Sequence, residues 1–182
     1  MSRGFAMRTK LMTLAAENGF SHAAPVDMNA LTPRREVREM CRADRCGQWN
    51  ANWACPPGCG TLEACCAAMA ARKSGILVQT VGELEDAFDG EGMMAAEAAH
   101  KAHFAEMHRA LRAAGLAPLA LGAGCCTQCE VCTYPDAPCR LPELQTVSME
   151  AYGLVVLEVC KICGVPYYYG SERIAYTSCF LF

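Results

Sequence analysis

Segments in which apolar residues recur at helical spacing alternate along the chain with segments of strand-like composition. Helical spacing predicts helices over residues 7–18, over 61–73 after an N-cap at Thr61, and over 93–114 before Gly115. Runs rich in apolar and β-branched residues predict buried strands, and a short strand at 22–28 is interrupted by Pro25. The two clearest runs are ILVQTV at 76–81 and APLALGA at 117–123.

The last part of the chain predicts a helix over residues 148–163, weakened by Gly153, and then a pair of strands. These strands are VPYYYG and RIAYTSCFLF, joined by a turn at Gly170 and Ser171. Alternating strands and helices predict an α/β fold. We expect one domain over 1–182, with a small mixed sheet flanked by helices and two cysteine-rich loops, at 41–60 and 122–142.

The most informative feature of the composition is its cysteine content, 14 of the 182 residues. The early apolar segment LMTLAA is too short for a signal peptide, and no apolar run approaches the ~20 residues of a membrane span. We therefore expect a cytoplasmic protein that keeps its cysteines on metal instead of in disulfides.

The net charge of the chain indicates which class of molecule it binds. The net charge is −3 and no block of basic residues occurs, so nucleic acid is not an expected partner. Thiolates on a metal centre would make the protein more acidic, which favours docking on a basic patch of a redox partner protein.

The second loop carries the strongest motif, with five cysteines between residues 125 and 139. Its spacing C-x2-C-x2-C-x6-C resembles the ferredoxin arrangement, in which a tight loop of thiolates holds a 4Fe–4S cluster. Zinc or free thiols are the alternatives, and the last cysteine of the motif could serve the other cluster. The predicted ligands are Cys126, Cys129, Cys132 and Cys139.

The first loop has the irregular spacing C-x4-C-x8-C-x3-C, in a polar segment broken by Gly and Pro. Free cysteines favour apolar helices and strands, so these four predict a second metal site. Cys65 is the best substitute ligand, and Trp49 and Trp53 either shield the site or anchor the core. The predicted ligands are Cys41, Cys46, Cys55 and Cys59.

Other candidate residues favour structural roles. A C-x3-C-x2-C frame beginning at Cys125 matches the motif of radical S-adenosylmethionine enzymes, but only fifty residues follow Cys132, too few for their barrel. The remaining cysteines are expected to be small buried residues, and the helical histidines to lie on a solvated surface. No catalytic residue can be named.

Three segments then resemble the predicted metal-binding, cysteine-rich family known as domain of unknown function 2284. They are ADRCGQWNANWACPPGCGTLEAC, LGAGCCTQCEVCTYPDAPCRLPE and SMEAYGLVVLEVC, and the ending YYYGSERIAYTSCFLF is similar as well. The resemblance implies an iron–sulfur or other metal-binding protein of anaerobic organisms. Many members have proline at the position of Cys125, which leaves the ligand set of the second site open.

These observations predict an iron–sulfur protein with two 4Fe–4S clusters that transfers single electrons in anaerobic metabolism. One alternative is an enzyme in which one cluster has an open iron position. Another is a metal or cluster carrier or sensor, and structural zinc is the remaining possibility.

Overall fold

A five-stranded mixed sheet organises the chain in the computed structural model, which describes residues 3–182. Its strand order is β1-β2-β5-β3-β4, and every neighbouring pair is antiparallel except β3 and β4. The predicted α/β class with a mixed sheet is confirmed. The strands are β1 His22–Pro25, β2 Gly75–Glu83, β3 Leu119–Gly122, β4 Val147–Ser148 and β5 Arg173–Leu181.

Five α-helices accompany the sheet. The Thr61 hydroxyl accepts a hydrogen bond from the Ala64 amide at 3.2 Å, which confirms the predicted N-cap of α3. Asp89 caps α4 in the same way through the Gly92 amide. The helices are α1 Arg3–Glu17, α2 Arg35–Arg42, α3 Leu62–Ala70, α4 Gly90–Ala113 and α5 Val156–Ile162.

The two faces of the sheet carry separate apolar clusters, because alternate strand residues point in opposite directions. On one face, α1 and α4 pack against strand residues such as Ile76 and Phe180. The Phe104 and Phe180 rings stack there with centroids 4.1 Å apart. On the other face, α3 and α5 pack against Leu77 and Cys179. Cys65, Cys160 and Cys179 are buried there, as predicted for small apolar residues.

The predicted helix over 148–163 is wrong in its first half. Val147 and Ser148 instead form β4, which pairs in parallel with Leu121 and Gly122 of β3. Gly153 then adopts a left-handed conformation, with φ of 77°, and a helix cannot continue through it. The helix α5 begins only at Val156.

The predicted C-terminal strand pair is also wrong, because only its second member is a strand. Residues 165–170 have no strand structure, and the Tyr169 hydroxyl instead donates a hydrogen bond to Gln79 on β2 at 2.6 Å. β5 pairs along its whole length with β2, from Glu83↔Arg173 to Gly75↔Leu181. A distant strand of matching length thus replaces the local hairpin.

The helix α2 was not predicted, although its apolar residues Val37, Met40 and Cys41 follow helical spacing. None of its residues is buried, and Arg38 holds it in place. One Arg38 Nη donates to the Ala151 carbonyl at 2.6 Å, and the other donates to the Gly60 carbonyl. These bonds fix α2 against the end of the first loop. No helix within residues 3–182 has the length and apolar content to cross a membrane.

Two histidines of α4 are buried, which corrects the expectation of a solvated helix surface. His100 Nε2 lies 2.7 Å from Ser178 Oγ, and His100 Nδ1 lies 3.0 Å from Thr80 Oγ1. In the described part of the chain, neither ring nitrogen of His108 has a hydrogen-bond partner. Burial lowers the pKa of His100 to about 3 and that of His108 to about 4. Both rings are therefore neutral near pH 7.

Replacing these two histidines with leucine should change stability in opposite directions. His108→Leu removes a buried polar group that lacks partners, so we expect unfolding free energy to rise by about 1 kcal/mol. His100→Leu removes one hydrogen-bond partner from each of the Thr80 and Ser178 hydroxyls in the core, so we expect a loss of about 1–3 kcal/mol. Urea unfolding followed by circular dichroism measures both values.

The pH dependence of stability provides a control for the effect of His108→Leu. Below about pH 6.5 the unfolded chain binds a proton at His108 that the folded chain does not accept until about pH 4. This residue's contribution to stability therefore falls as the pH falls through that window. The advantage of His108→Leu should grow between pH 7 and pH 5. An advantage that shrinks would contradict the assignment of a neutral, unpartnered His108.

Candidate metal centre

Four cysteines from the two loops line a cavity of about 580 Å³, which we call the inter-loop cavity. Cys41 lies in the last turn of α2, while Cys46 and Cys55 belong to the turns that follow it. Cys125 comes from the second loop, shortly after the end of β3. Cys46 is exposed and Cys55 is buried, so the cavity runs from the surface inward.

The electrostatic environments of these thiols indicate that they lie near one another. The pKa of Cys55 is raised to about 11, mainly by burial, with smaller contributions from the neighbouring Cys125, Cys46 and Cys41, and a hydrogen bond with Asn52 opposes this shift. Burial also raises the pKa of Cys41, with contributions from Glu150 and Cys46. Such shifts disfavour the free thiolates, which are the form that binds a metal.

Charged side chains line the same cavity. Arg45 and Lys101 contribute positive charge, and Glu97 and Glu150 contribute carboxyl groups. Lys101 Nζ lies 2.5 Å from Glu97 Oε1. A Cβ atom on Gly124 would lie 3.6 Å from each of these two atoms, so the ion pair covers the backbone just before Cys125. A cationic group therefore stands beside the thiols.

Cys59, predicted as a ligand of the first site, lines a different cavity. It shares a space of about 530 Å³, the Cys139 cavity, with Cys139, Trp53 and Tyr152. The Cys65 thiol donates a hydrogen bond to the Cys59 carbonyl at 3.8 Å. The neighbouring Cys65 is the main cause of the raised pKa of Cys59, and Cys59, followed by Arg38, lowers the pKa of Cys65. Arg38 Nη1 lies 3.4 Å from Cys65 Sγ.

The second loop brings at least three of its predicted ligands together. Burial raises the pKa of Cys126, and the neighbouring Cys139 and Cys129 raise it further. Backbone amides of Thr146 and Gln128 oppose this shift by hydrogen bonding to the thiol. Cys132 is half-buried on the same loop, between Cys129 and Cys139.

Trp53 clamps the two loops to each other. Its indole Nε1 donates to the Ala137 carbonyl at 3.0 Å, and its own carbonyl accepts from Gln145 Nε2 at 2.7 Å. The Trp53 and Tyr134 rings meet edge to face, with centroids 4.8 Å apart. A Cβ on Gly58 would lie 2.3 Å from the Asn52 carbonyl oxygen, so the first loop tolerates no side chain there. The two loops are therefore packed against each other.

The thiols surround cavities and do not converge on a point. Within residues 3–182, no three Cys, His, Asp or Glu side chains are grouped closely enough to hold one ion. A zinc ion bound at ~2.3 Å would bring each pair of sulfurs within about 4.6 Å of each other. Four thiols nevertheless line one cavity of about 580 Å³, where they offer sulfur ligands for a bound metal.

The sequence left open whether Cys125 replaces one of the assigned ligands, and it assigned Cys125 to neither site. The structure places Cys125 around the inter-loop cavity with three cysteines of the first loop. The signal in the sequence that points to it is the adjacent pair Cys125 and Cys126, which offers one cysteine more than a four-ligand site in the second loop needs.

Removing the Trp53 clamp should weaken both the fold and metal retention. We expect Trp53→Ala to lower the unfolding free energy by about 2 kcal/mol and to reduce the metal bound per chain. Trp49→Ala is the matched control, because Trp49 lines the inter-loop cavity without a bond to the second loop. Metal analysis after gel filtration and thermal unfolding measure the effects. Equal losses in both variants would contradict the clamp.

Comparison with protein families agrees with this cysteine-lined site. A model of the family described as predicted metal-binding protein (DUF2284) matches residues 24–182, which include both cysteine loops and all five strands except the first two residues of β1. Neither a curated protein nor a solved structure matches the chain. The chain therefore belongs to the DUF2284 family of predicted metal-binding proteins.

Proposed function

We propose that this protein binds two 4Fe–4S clusters and carries single electrons to a redox partner protein in the anaerobic cytoplasm. The observation that supports the proposal most is the meeting of two cysteine groups at the Cys125–Cys126 peptide. One cluster would lie in the inter-loop cavity, held by Cys41, Cys46 and Cys55 with a fourth ligand. The other would be held by the second loop, through Cys126, Cys129, Cys132 and Cys139.

The proximity of the two groups favours electron transfer between them. Adjacent Cα atoms are ~3.8 Å apart, so Cys125 and Cys126 keep the two sites close whatever their exact ligands. Clusters with four thiolate ligands undergo one-electron changes without an open iron position. The packed loops limit rearrangement of the ligands, because Trp53 and Gly58 hold them in contact.

The exposed thiol Cys46 marks where a partner would approach. It stands at the outer end of the inter-loop cavity, whereas Cys55 is buried. Arg45 and Lys101 partly balance the thiolate charge there, and hydrogen bonds and charges around a cluster tune its potential. The overall charge of −3 becomes more negative with bound clusters, which supports a partner with a basic surface.

Elemental analysis of anaerobically purified protein tests the proposal. We expect about eight iron and eight acid-labile sulfide per chain, with a brown colour. The dithionite-reduced protein should show electron paramagnetic resonance signals of two interacting clusters, because the groups are adjacent. Cys66→Ser is the control, since Cys66 lies on α3 outside both groups, and it should retain all the iron. Colourless protein with bound zinc would overturn the proposal.

A second candidate function, an enzyme with one open iron position, is favoured by a neighbouring cavity. This space of about 570 Å³, the tyrosine cavity, is lined by Tyr167, Tyr168 and Tyr176. It shares Glu97, Gly124 and Glu150 with the inter-loop cavity. A small substrate there would lie beside the first site.

Glu150 is the residue best placed to move a proton in such an enzyme. It is accessible to solvent because it lines both cavities, yet surrounding protein atoms raise its pKa. Its own backbone amide and the Ser148 hydroxyl oppose that shift. A carboxyl group with a raised pKa can donate a proton near neutral pH.

Added cyanide distinguishes the two functions. A carrier whose clusters have only cysteine ligands offers cyanide no iron position, so we expect the spectrum of the reduced protein to stay unchanged. An open iron position would bind cyanide and shift the electron paramagnetic resonance signal of one cluster. That result would replace the carrier with the enzyme.

A further inference from the structure

We propose that Cys125, and not Cys59, supplies the fourth thiolate of the first cluster, which therefore bridges the two cysteine loops. The inference rests on the proposed function, because it needs a cluster in the inter-loop cavity. It changes the ligand set from four cysteines of one loop to three cysteines of that loop and one of the other. The resulting set is Cys41, Cys46, Cys55 and Cys125.

The position of Cys125 follows from the sheet. β3 pairs with β4 at Leu121↔Val147 and Gly122↔Ser148, so the chain leaves the sheet in a fixed direction. The Ala123 amide then donates a hydrogen bond to Ser178 Oγ at 3.0 Å. Strand pairing and this hydrogen bond therefore fix the backbone that leads to Cys125 at the inter-loop cavity.

Cys125 lines the inter-loop cavity together with three cysteines of the first loop, Cys41, Cys46 and Cys55. Cys126, the next residue, is not among the residues that line this cavity. Using Cys125 in the first site therefore takes no assigned ligand from the second.

Cys59 is directed elsewhere. It lines the Cys139 cavity, and its backbone carbonyl accepts a hydrogen bond from the Cys65 thiol at 3.8 Å. Cys65 is itself held by Arg38, which also binds the Ala151 and Gly60 carbonyls. These contacts fix the Cys59 carbonyl just before α3. Its backbone is also fixed, since the Cys59 amide donates to the Cys55 carbonyl at 3.1 Å.

A bridging cluster would tie residues 41–55 to residue 125 across the packed loops. Metal sites assembled from distant parts of a chain contribute their binding free energy to the folded state. Cluster binding should therefore order both loops together, whereas a cluster held within residues 41–59 would order only the first.

Iron analysis in a single-cluster background tests the assignment. Cys129→Ala with Cys132→Ala removes two ligands of the second cluster and should leave about four iron and four sulfide per chain. In that background we expect Cys125→Ala to remove nearly all the remaining iron and sulfide, while Cys59→Ala keeps them. Circular dichroism checks that each variant is folded. Full iron in the Cys125→Ala variant would overturn the inference.

The serine variants give a second spectroscopic test. A serine oxygen can replace a thiolate while changing the electronic structure of the iron that it binds. Cys125→Ser should shift the electron paramagnetic resonance signal of the first cluster, and Cys59→Ser should leave it unchanged. A shift with Cys59→Ser alone would restore Cys59 as the ligand.

Thiol protection tests the unmodified protein and so does not depend on how variants fold. The cluster-loaded protein is alkylated anaerobically, and peptide mass spectrometry compares it with protein treated with a chelator and an oxidant. Cys125 should be protected only in the loaded form, while Cys66 serves as the control thiol that the cluster does not protect. Alkylation of Cys125 in fully loaded protein would overturn the inference. Absence of iron and sulfide from the wild-type protein would instead overturn the proposed function itself.

Discussion

The pairing of the last strand with two strands from earlier in the chain is the constraint on which the structure depends. β5 lies between β2 and β3, and its residues Cys179 and Phe180 contribute to the apolar clusters on opposite faces of the sheet. Antiparallel pairing along all of β2 fixes the register. Because β3 runs beside β5 and ends at Gly122, this pairing also decides where the second cysteine loop begins.

The buried polar residues connect this sheet to the candidate metal centre. Ser178 of β5 contacts His100 in the core and accepts a hydrogen bond from the Ala123 amide, two residues before Cys125. The buried Ser178 hydroxyl has a hydrogen-bond partner on each side, and it joins the backbone before the loop to the core. The ion pair of Glu97 and Lys101 then covers Gly124 from α4. The start of the loop is therefore rigid.

The two loops have different means of support but form one structure. Arg38 holds the first loop at its end, and Trp53 joins it to Ala137 of the second. Cys125, at the start of the second loop, lines the inter-loop cavity with three cysteines of the first loop. Cysteine spacing within a single loop could not have predicted this grouping.

The sequence by itself determined the α/β class, the long helix α4, the Thr61 cap, the buried strand β2 and the two cysteine loops, because these depend on local spacing and capping. It did not determine β4, the histidines buried in α4, or the helix α2, none of whose residues is buried. Tertiary structure alone placed Cys125 around one cavity with Cys41, Cys46 and Cys55, and Cys59 around another with Cys139. The physical reason is that thiol grouping follows strand pairing and loop packing between residues more than sixty positions apart, and spacing along one loop carries no information about them.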